Sequence, residues 1–222
     1  MPIDPNAPLR ITAFDWVPDF ARGYVRDLRA RWACEEIGLP YATRLISAVD
    51  RPEEYYAEQP WGQVPVIEDD GLSIFESGAI LLHLGERDER LLPRARVPRA
   101  RVISWLFAAY NSVEPLLMEL GNIDLFAADE LWAKLRRPSL LEALGQRLDR
   151  LAAALGARDW LADTFSIADI AMVTTLREAR DSGLLDSRPR LAAYVERGMS
   201  RPAFQAALAA QLSDFKAEPV TA

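Results

Sequence analysis

The chain has 222 residues, half of them hydrophobic, with 26 Lys and Arg against 33 Asp and Glu and a formal net charge of −7. This length suits one large domain or two small ones, and the apolar content excludes wholesale disorder. A chain this acidic matches the phosphate backbone of nucleic acid poorly, so we expect no nucleic-acid partner. One Cys and one His exclude a disulfide framework, a Cys₄ zinc site, a CxxC redox pair and a His-rich metal centre.

The sequence also argues against insertion into a membrane. No apolar run approaches the roughly 18 residues that a membrane-spanning helix needs. The N-terminal stretch MPIDPNAP carries Asp and three prolines where a signal peptide needs an apolar segment. We therefore expect a cytoplasmic protein that makes no contact with a membrane.

The first part of the chain alternates between strand and helix patterns. Residues 9–14 alternate apolar and polar side chains, which predicts a half-buried strand. A helical pattern over 28–37 ends at Gly38, and Pro40 prevents its continuation. Further strands are predicted at 41–46, 64–67 and 72–75, with a short helix before 64, a hairpin turn at the Asp-Asp-Gly of 69–71, and a helix from Ser77. The predicted order is β-α-β-α-β-β-α.

The second part of the chain predicts helices alone. A segment with two prolines and no periodicity, 89–98, is the expected linker. Beyond it, apolar residues recur at helical spacing from Val102 to Leu120 and from Leu141 to Leu155, and further helices are expected near Ser166, Pro189 and Pro202. These patterns divide the chain into an α/β domain over 1–88, the linker 89–98, and an all-α domain over 99–222.

Four segments in a fixed order carry a family resemblance: 32–41, 59–80, 165–171, and 190–194 followed by 201–203. The longest reads QPWGQVPVIEDDGLSIFESGAI. Together they resemble the glutathione S-transferase family from about Leu9 to Leu208. The resemblance implies a thioredoxin-like glutathione-binding domain followed by a helical domain. It also implies glutathione as co-substrate, no metal, a hydrophobic electrophile as second substrate, and a homodimer.

The segment around Pro65 is the first part of the implied glutathione site. The resemblance implies a cis Val64–Pro65 bond after Gln63, in a turn that exposes the N–H and C=O of Val64. These groups would pair in strand fashion with the cysteinyl part of glutathione. The alternative is that Pro65 merely begins a strand, a position that proline often takes.

Glu76 and Ser77 lie at a strand-to-helix junction and form the second part. Ser77 at an N-cap, with free backbone N–H groups behind it, offers a carboxylate site, and Glu76 offers a partner for an ammonium group. The γ-glutamyl group of glutathione carries both groups on one carbon. The alternative for Ser77 is an ordinary helix cap.

The group that activates the thiol departs from the family pattern. Family members use a Ser, Cys or Tyr near the start of the first helix or the end of the first strand, whereas here the strand ends in Phe14-Asp15-Trp16. Counting back from the first-helix segment places the usual position at about Tyr24. In one hypothesis Tyr24 donates to the thiolate and Arg22 adds positive potential. In another, a longer loop with Trp16 and Phe20 forms a lid or hydrophobic wall while backbone amides activate the thiol. The loop could equally be a surface excursion.

Three other features have structural explanations. Cys34 lies on an apolar helical face, where a packing thiol is a better interpretation than a nucleophile. His83 lies between leucines and is expected to pack rather than to catalyse. Ser166 and Asp169 have the spacing of a capping box.

The expected activity is transfer of glutathione to a hydrophobic electrophilic small molecule, a detoxification reaction that begins with the glutathione thiolate. Tyr110 and Asn111 are candidates for the electrophile pocket, although Tyr110 could equally be a core or interface residue. Glutathione-dependent isomerase, lyase, dehalogenase and peroxidase reactions use the same thiolate and stay open. A non-catalytic glutathione-binding module also stays open, whereas a thioredoxin-type disulfide reductase is disfavoured because the CxxC is absent.

Overall fold

The computed structural model describes residues 3–218, apart from the side chain of Asp181. By its internal contacts the chain divides into two units. The first is the described part of Met1–Leu92 together with Ser200–Ala222, and the second is Pro93–Met199. Residues 1–2 and 219–222, the outermost positions of the predicted domains, lie outside the described residues.

A four-stranded mixed sheet forms the centre of the first unit. Its strands are β1 (Arg10–Phe14), β2 (Ala42–Ile46), β3 (Val66–Asp69) and β4 (Leu72–Phe75), in the order β2-β1-β3-β4. β1 pairs with β2 in parallel and with β3 in antiparallel fashion, and β3 and β4 form the predicted hairpin. The thioredoxin-like fold class expected from the sequence is therefore confirmed.

Three helices belong to the same unit: α1 (Asp27–Ile37), α2 (Ser77–Gly85) and α8 (Pro202–Asp214). α1 makes the crossover between the parallel strands β1 and β2. It ends at Gly38, whose φ of 69° is left-handed and lets its N–H bond back to the last turn of the helix. The predicted short helix before β3 is a 3₁₀ turn, Glu53–Ala57.

The second unit contains helices only among its described residues. They are α3 (Arg96–Ala108), α4 (Glu114–Phe126), α5 (Leu131–Leu155), α6 (Ile167–Asp181) and α7 (Pro189–Met199). Between α3 and α4 lies a π-helical segment, Ala109–Val113. α6 is the central element, since it packs against α3, α4 and α7 and is buried along most of its length.

Two boundaries differ from the sequence prediction. α3 begins at Arg96, inside the predicted linker, because Pro98 falls in its first turn, where the missing N–H costs no hydrogen bond. α8 packs on α1 in the first unit, although the sequence pattern groups it with the other helices. The ring of Phe204 on α8 meets Trp32 on α1 edge to face at 4.9 Å. Amphipathic periodicity shows that a helix has a partner but does not say which one.

Candidate functional site

The turn before β3 is held open by its backbone geometry. The Val64–Pro65 bond is cis, as the resemblance implied, and β3 begins only at Val66. Within residues 3–218, neither the N–H nor the C=O of Val64 pairs with another backbone group. The buried Val64 therefore presents a free strand-type donor and acceptor beside the sheet.

The strand register shows what surrounds that turn. β3 pairs with β1 so that Ile67 faces Ile11, and continuing this register places Val64 opposite Phe14 at the end of β1. β3 pairs with β4 so that Val66 faces Phe75, and α2 begins two residues after Phe75 at Ser77. The sheet thus brings the turn, the end of β1 and the start of α2 to one place.

Hydrophobic packing supports the same grouping. Val64 belongs to a buried cluster with Tyr55 and Val66, and Phe14 and Val25 pack against that cluster. Val25 lies directly after Tyr24, two residues before α1 begins. The segment that contains Tyr24, expected to activate the glutathione thiol, is therefore adjacent to the Val64–Pro65 turn, expected to bind the peptide backbone of glutathione.

The start of α2 is positively polarised. Glu76 rather than Ser77 is the N-cap, so the predicted cap is one residue late and Ser77 is the first residue of the helix. Glu76 is exposed and has a φ of 68°, a left-handed conformation that few residues other than glycine adopt. Ser77 is only 4% exposed, and its Oγ accepts a hydrogen bond from Arg29 Nη1 at 3.3 Å. A buried guanidinium and the positive end of a helix dipole both favour a carboxylate.

Gln63 and Arg51 each contact one residue of the same cluster or of its packing partners. The Gln63 side chain is exposed, and its backbone C=O accepts a hydrogen bond of 2.7 Å from the Tyr55 hydroxyl. The guanidinium of Arg51 lies 5.1 Å from the centre of the Phe14 ring, and its buried Nε has no hydrogen-bond partner among the described residues. Sequence reasoning missed Arg51 and Arg29, because single arginines in a loop and on a helix carry no motif.

The loop between β1 and α1 holds the remaining candidates of the first unit. Tyr24 and Trp16 are half-buried, whereas Phe20, on the one-turn 3₁₀ helix Asp19–Ala21, is 53% exposed. Arg22 donates from Nη2 to the backbone C=O of Lys216 at 2.8 Å and lies 3.3 Å from the Asp19 carboxylate. The positive charge of Arg22 is therefore partly offset by the Asp19 carboxylate and the Lys216 carbonyl.

The remaining residues considered from the sequence lie outside the loop between β1 and α1. Tyr110 and Asn111 are in the π-helical segment of the second unit, Tyr110 half-buried and Asn111 exposed. π-Helical segments are often found at functional sites. Cys34 is buried, and burial raises the pKa of its thiol, which disfavours the nucleophilic thiolate. His83 Nε2 lies 2.6 Å from the buried carboxylate of Asp69.

Within residues 3–218, no group of three or more His, Cys, Asp or Glu is arranged to hold a metal ion. Among the described helices, none is both long and apolar enough to cross a membrane.

Comparison with known proteins gives consistent matches. The family model for the glutathione S-transferase N-terminal domain matches residues 20–86, and that for the C-terminal domain matches 134–202. Glutathione S-transferase GstA of Escherichia coli O157:H7 is 31% identical over 169 residues, 73% of this chain and 81% of that protein. Disulfide-bond oxidoreductase YfcG of Escherichia coli (strain K12) is 33% identical over 182 residues, 76% and 81% of the two chains. A glutathione transferase structure from Pseudomonas putida, with one glutathione disulfide bound per subunit, superposes with a TM-score of 0.78 at 26% identity and covers 90% of each chain.

Proposed function

The chain belongs to the glutathione S-transferase family, and we propose that it is a glutathione transferase that attaches glutathione to a hydrophobic electrophile. The observation that carries the proposal is the free backbone of Val64, which lies between the end of β1 and the start of α2. A peptide whose cysteinyl residue pairs with Val64 would extend towards both neighbouring segments. Glutathione, which has a charged group at each end, fits that arrangement.

Each end of glutathione meets a matching group. The γ-glutamyl carboxylate would accept hydrogen bonds from Ser77 and the first turn of α2, with Arg29 beneath it. The γ-glutamyl ammonium would pair with the exposed carboxylate of Glu76. The glycyl carboxylate would lie towards Arg51, whose Nε has no other hydrogen-bond partner in the described structure, while Gln63 borders the site.

Thiol ionisation is the chemical task of this site. A hydroxyl donor at Tyr24 and the N-terminal end of α1 would stabilise the thiolate, and the proton would leave to solvent. The thiolate then forms the new S–C bond, and the leaving group departs with its electron pair, or an activated double bond takes up a proton. The competing hypothesis assigns activation to backbone amides of the loop, with Trp16 and Phe20 as the wall of the pocket.

The electrophile, the assembly and the compartment are further parts of the proposal. Tyr110 and Asn111 are proposed to line the pocket for the electrophile, and their π-helical backbone supports this. A homodimer is supported by the number of large apolar side chains that are exposed on helices of the second unit, which include Val97, Phe107, Met118, Phe126 and Trp132. A cytoplasmic location suits an enzyme that consumes reduced glutathione, which that compartment maintains.

The first test measures affinity for glutathione by calorimetry. Glu76→Gln should weaken binding about 10- to 100-fold, because a hydrogen bond to a charged group contributes about 1.5–3 kcal/mol. Glu130→Gln is the matched control, since Glu130 is likewise an exposed N-cap without a side-chain capping bond, on α5. Equal affinity of both variants would contradict the assignment of Glu76.

The second test measures the pKa of the bound glutathione thiol from its thiolate absorbance. Tyr24→Phe should raise that pKa by about 1–2 units if the phenol donates to the sulfur. An unchanged thiol pKa would remove Tyr24 from the mechanism and favour the backbone amides. Retention on immobilised glutathione without turnover of any electrophile in a broad panel would instead identify a binding module.

Disulfide exchange is a second candidate activity. It is favoured by the similarity to a protein named as a disulfide-bond oxidoreductase and to a structure holding glutathione disulfide. Because Cys34 is buried, both thiols would come from glutathione. One thiolate would attack the substrate disulfide and release a substrate thiolate. A second glutathione would then resolve the mixed disulfide, giving glutathione disulfide and the second substrate thiol. Formation of glutathione disulfide from a small-molecule disulfide would support this activity.

A further inference from the structure

The segment formed by the end of α8 and the two residues after it lies against the loop that precedes α1. α8 is fixed on α1 by Gln211, whose Nε2 donates to the C=O of Val25 at 3.0 Å and to Asp27 Oδ1 at 2.7 Å. It is also fixed by Arg31, a fully buried guanidinium that donates to Asp214 Oδ2 at 2.6 Å. Arg31 also pairs with the buried Asp27 on α1, and a buried charged group that loses one of its partners is costly, so these contacts hold the end of α8 on α1.

The two residues after α8, Phe215 and Lys216, contact both ends of the loop between Asp15 and Arg22. We call these two residues the C-terminal strap. At one end, the Lys216 N–H donates to the C=O of Asp15 at 2.8 Å, and Lys216 Nζ donates to Asp15 Oδ2 at 2.9 Å. At the other end, Arg22 donates to the Lys216 C=O at 2.8 Å and lies with its guanidinium 5.7 Å from the centre of the Phe215 ring. Lys216 therefore connects Asp15 and Arg22, the two ends of this loop.

The placement of this loop bears on thiol activation. Tyr24 follows Arg22 by two residues, and the C=O of the next residue, Val25, is the one held by Gln211. Free loops sample many conformations, and a donor displaced by about 1 Å from its productive position loses much of its effect on a reacting group. Contacts at both ends of the loop restrict that motion without touching the substrate.

We propose that the C-terminal strap positions the loop between β1 and α1, so that Lys216 is a positioning residue for ionisation of the glutathione thiol. The inference rests on the proposed transferase function. Lys216 acts through Asp15 and Arg22, not on the substrate. The Lys216 side chain is 51% exposed but the Asp15 carboxylate is only 8% exposed, so loss of Lys216 lowers stability. A loss of stability alone does not change the thiol pKa of glutathione bound to the folded protein. A purely structural role and a positioning role therefore predict different results.

The experiment compares the only two lysines of the chain, Lys216 and Lys134. Lys216→Met removes the pair with Asp15, while Lys134→Met is the matched control on α5 in the second unit. In the full-length protein without glutathione, amide hydrogen exchange over 15–24 should be faster in Lys216→Met than in the control. With glutathione bound, its thiol pKa should rise by about one unit, which lowers the thiolate fraction near neutral pH about tenfold. The melting temperature should fall below that of the control, because the buried Asp15 carboxylate loses its partner, so the thiol pKa is measured well below that temperature.

Conservative replacement provides the second variant. Lys216→Arg keeps a cation for Asp15 and should restore most of the slow exchange and the lower thiol pKa. Equal exchange in both methionine variants would overturn the strap, and faster exchange with an unchanged thiol pKa would overturn its positioning role. A lower melting temperature with an unchanged thiol pKa would assign Lys216 to stability alone. If the wild-type protein bound no glutathione, the proposed function would fail together with the catalytic part of this inference, whereas exchange over 15–24 would still report on the strap.

Discussion

Replacing Asp169 by alanine should remove most of the stability of the second unit. Its buried carboxylate accepts four hydrogen bonds: from the N–H of Leu161 at 3.0 Å, from the N–H and hydroxyl of Ser166 at 3.0 Å each, and from the Tyr194 hydroxyl at 2.9 Å. A buried donor left without an acceptor costs about 1–3 kcal/mol, so losing all four acceptor contacts implies at least about 4 kcal/mol. That is a large part of the roughly 5–15 kcal/mol that folded proteins have.

Urea unfolding followed by tryptophan fluorescence measures this loss. The ring of Trp160 contacts Phe165 at 4.9 Å and Tyr194 at 5.9 Å, so it reports on the site directly. Asp129→Ala, at an exposed loop position, should change the free energy of unfolding by less than about 0.5 kcal/mol.

A double-mutant cycle makes the argument sharper. Tyr194→Phe removes the hydroxyl that donates to Asp169. It should lower the free energy of unfolding by about 1.5–3 kcal/mol, because the acceptor is charged. In the Asp169→Ala background the same change should cost about 1–2 kcal/mol less, because the hydroxyl has already lost its partner. Additive effects, or a loss below about 1 kcal/mol for Asp169→Ala alone, would refute the reasoning.

The same carboxyl predicts a pH dependence with a definite sign. Burial raises the pKa of Asp169 from 3.8 to about 6, against the opposing hydrogen bonds from Leu161, Ser166 and Tyr194. Because the folded value is the higher one, its contribution to stability is complete below pH 3.8 and is lost as the pH rises through about 6. Two pKa units correspond to about 3 kcal/mol. Asp169→Asn, which cannot titrate, should lack this part of the pH profile of urea unfolding, and an identical profile would contradict it.

Two further predictions concern packing and reactivity. Gly198→Ala would place a Cβ 2.7 Å from a methyl carbon of the buried Val173, so the denaturation midpoint should fall by the equivalent of about 1–3 kcal/mol and recover in part with Val173→Ala; an unchanged midpoint would show that α6 and α7 separate easily. Cys34 should resist a thiol reagent in the native protein and react fully in denaturant, because it is buried and its thiol pKa is raised; rapid native labelling would contradict both statements.

Much of the first unit was predictable because its signals are local. The hairpin at 69–71 and the helix end at Gly38 depend on residues a few positions apart. The capping box of Ser166 and Asp169 is of the same kind and is confirmed. The cis bond before Pro65 came from the family resemblance, since a strand beginning at proline fits the local sequence equally well.

The π-helical segment Ala109–Val113 could not be predicted from the sequence. Apolar spacing from Val102 to Leu120 predicts one continuous helix, because a single extra residue in one turn hardly changes the periodicity. The π-helical segment packs against α6 and the neighbouring helices, and contacts of this kind leave no mark on the local apolar spacing.

The sequence by itself determined the order of the main elements, the hairpin, the helix end at Gly38, the capping box of Ser166 and Asp169, and the family, because each depends on near neighbours or on a motif. Only the tertiary structure decided that α8 packs on α1, that Arg29 lies beneath Ser77, and that Lys216 closes the loop at Asp15. Lys216 and Asp15 are 201 positions apart, and no local pattern distinguishes either from the other charged residues of the chain. Contacts at that separation arise only when the sheet and its helices have brought the two segments together.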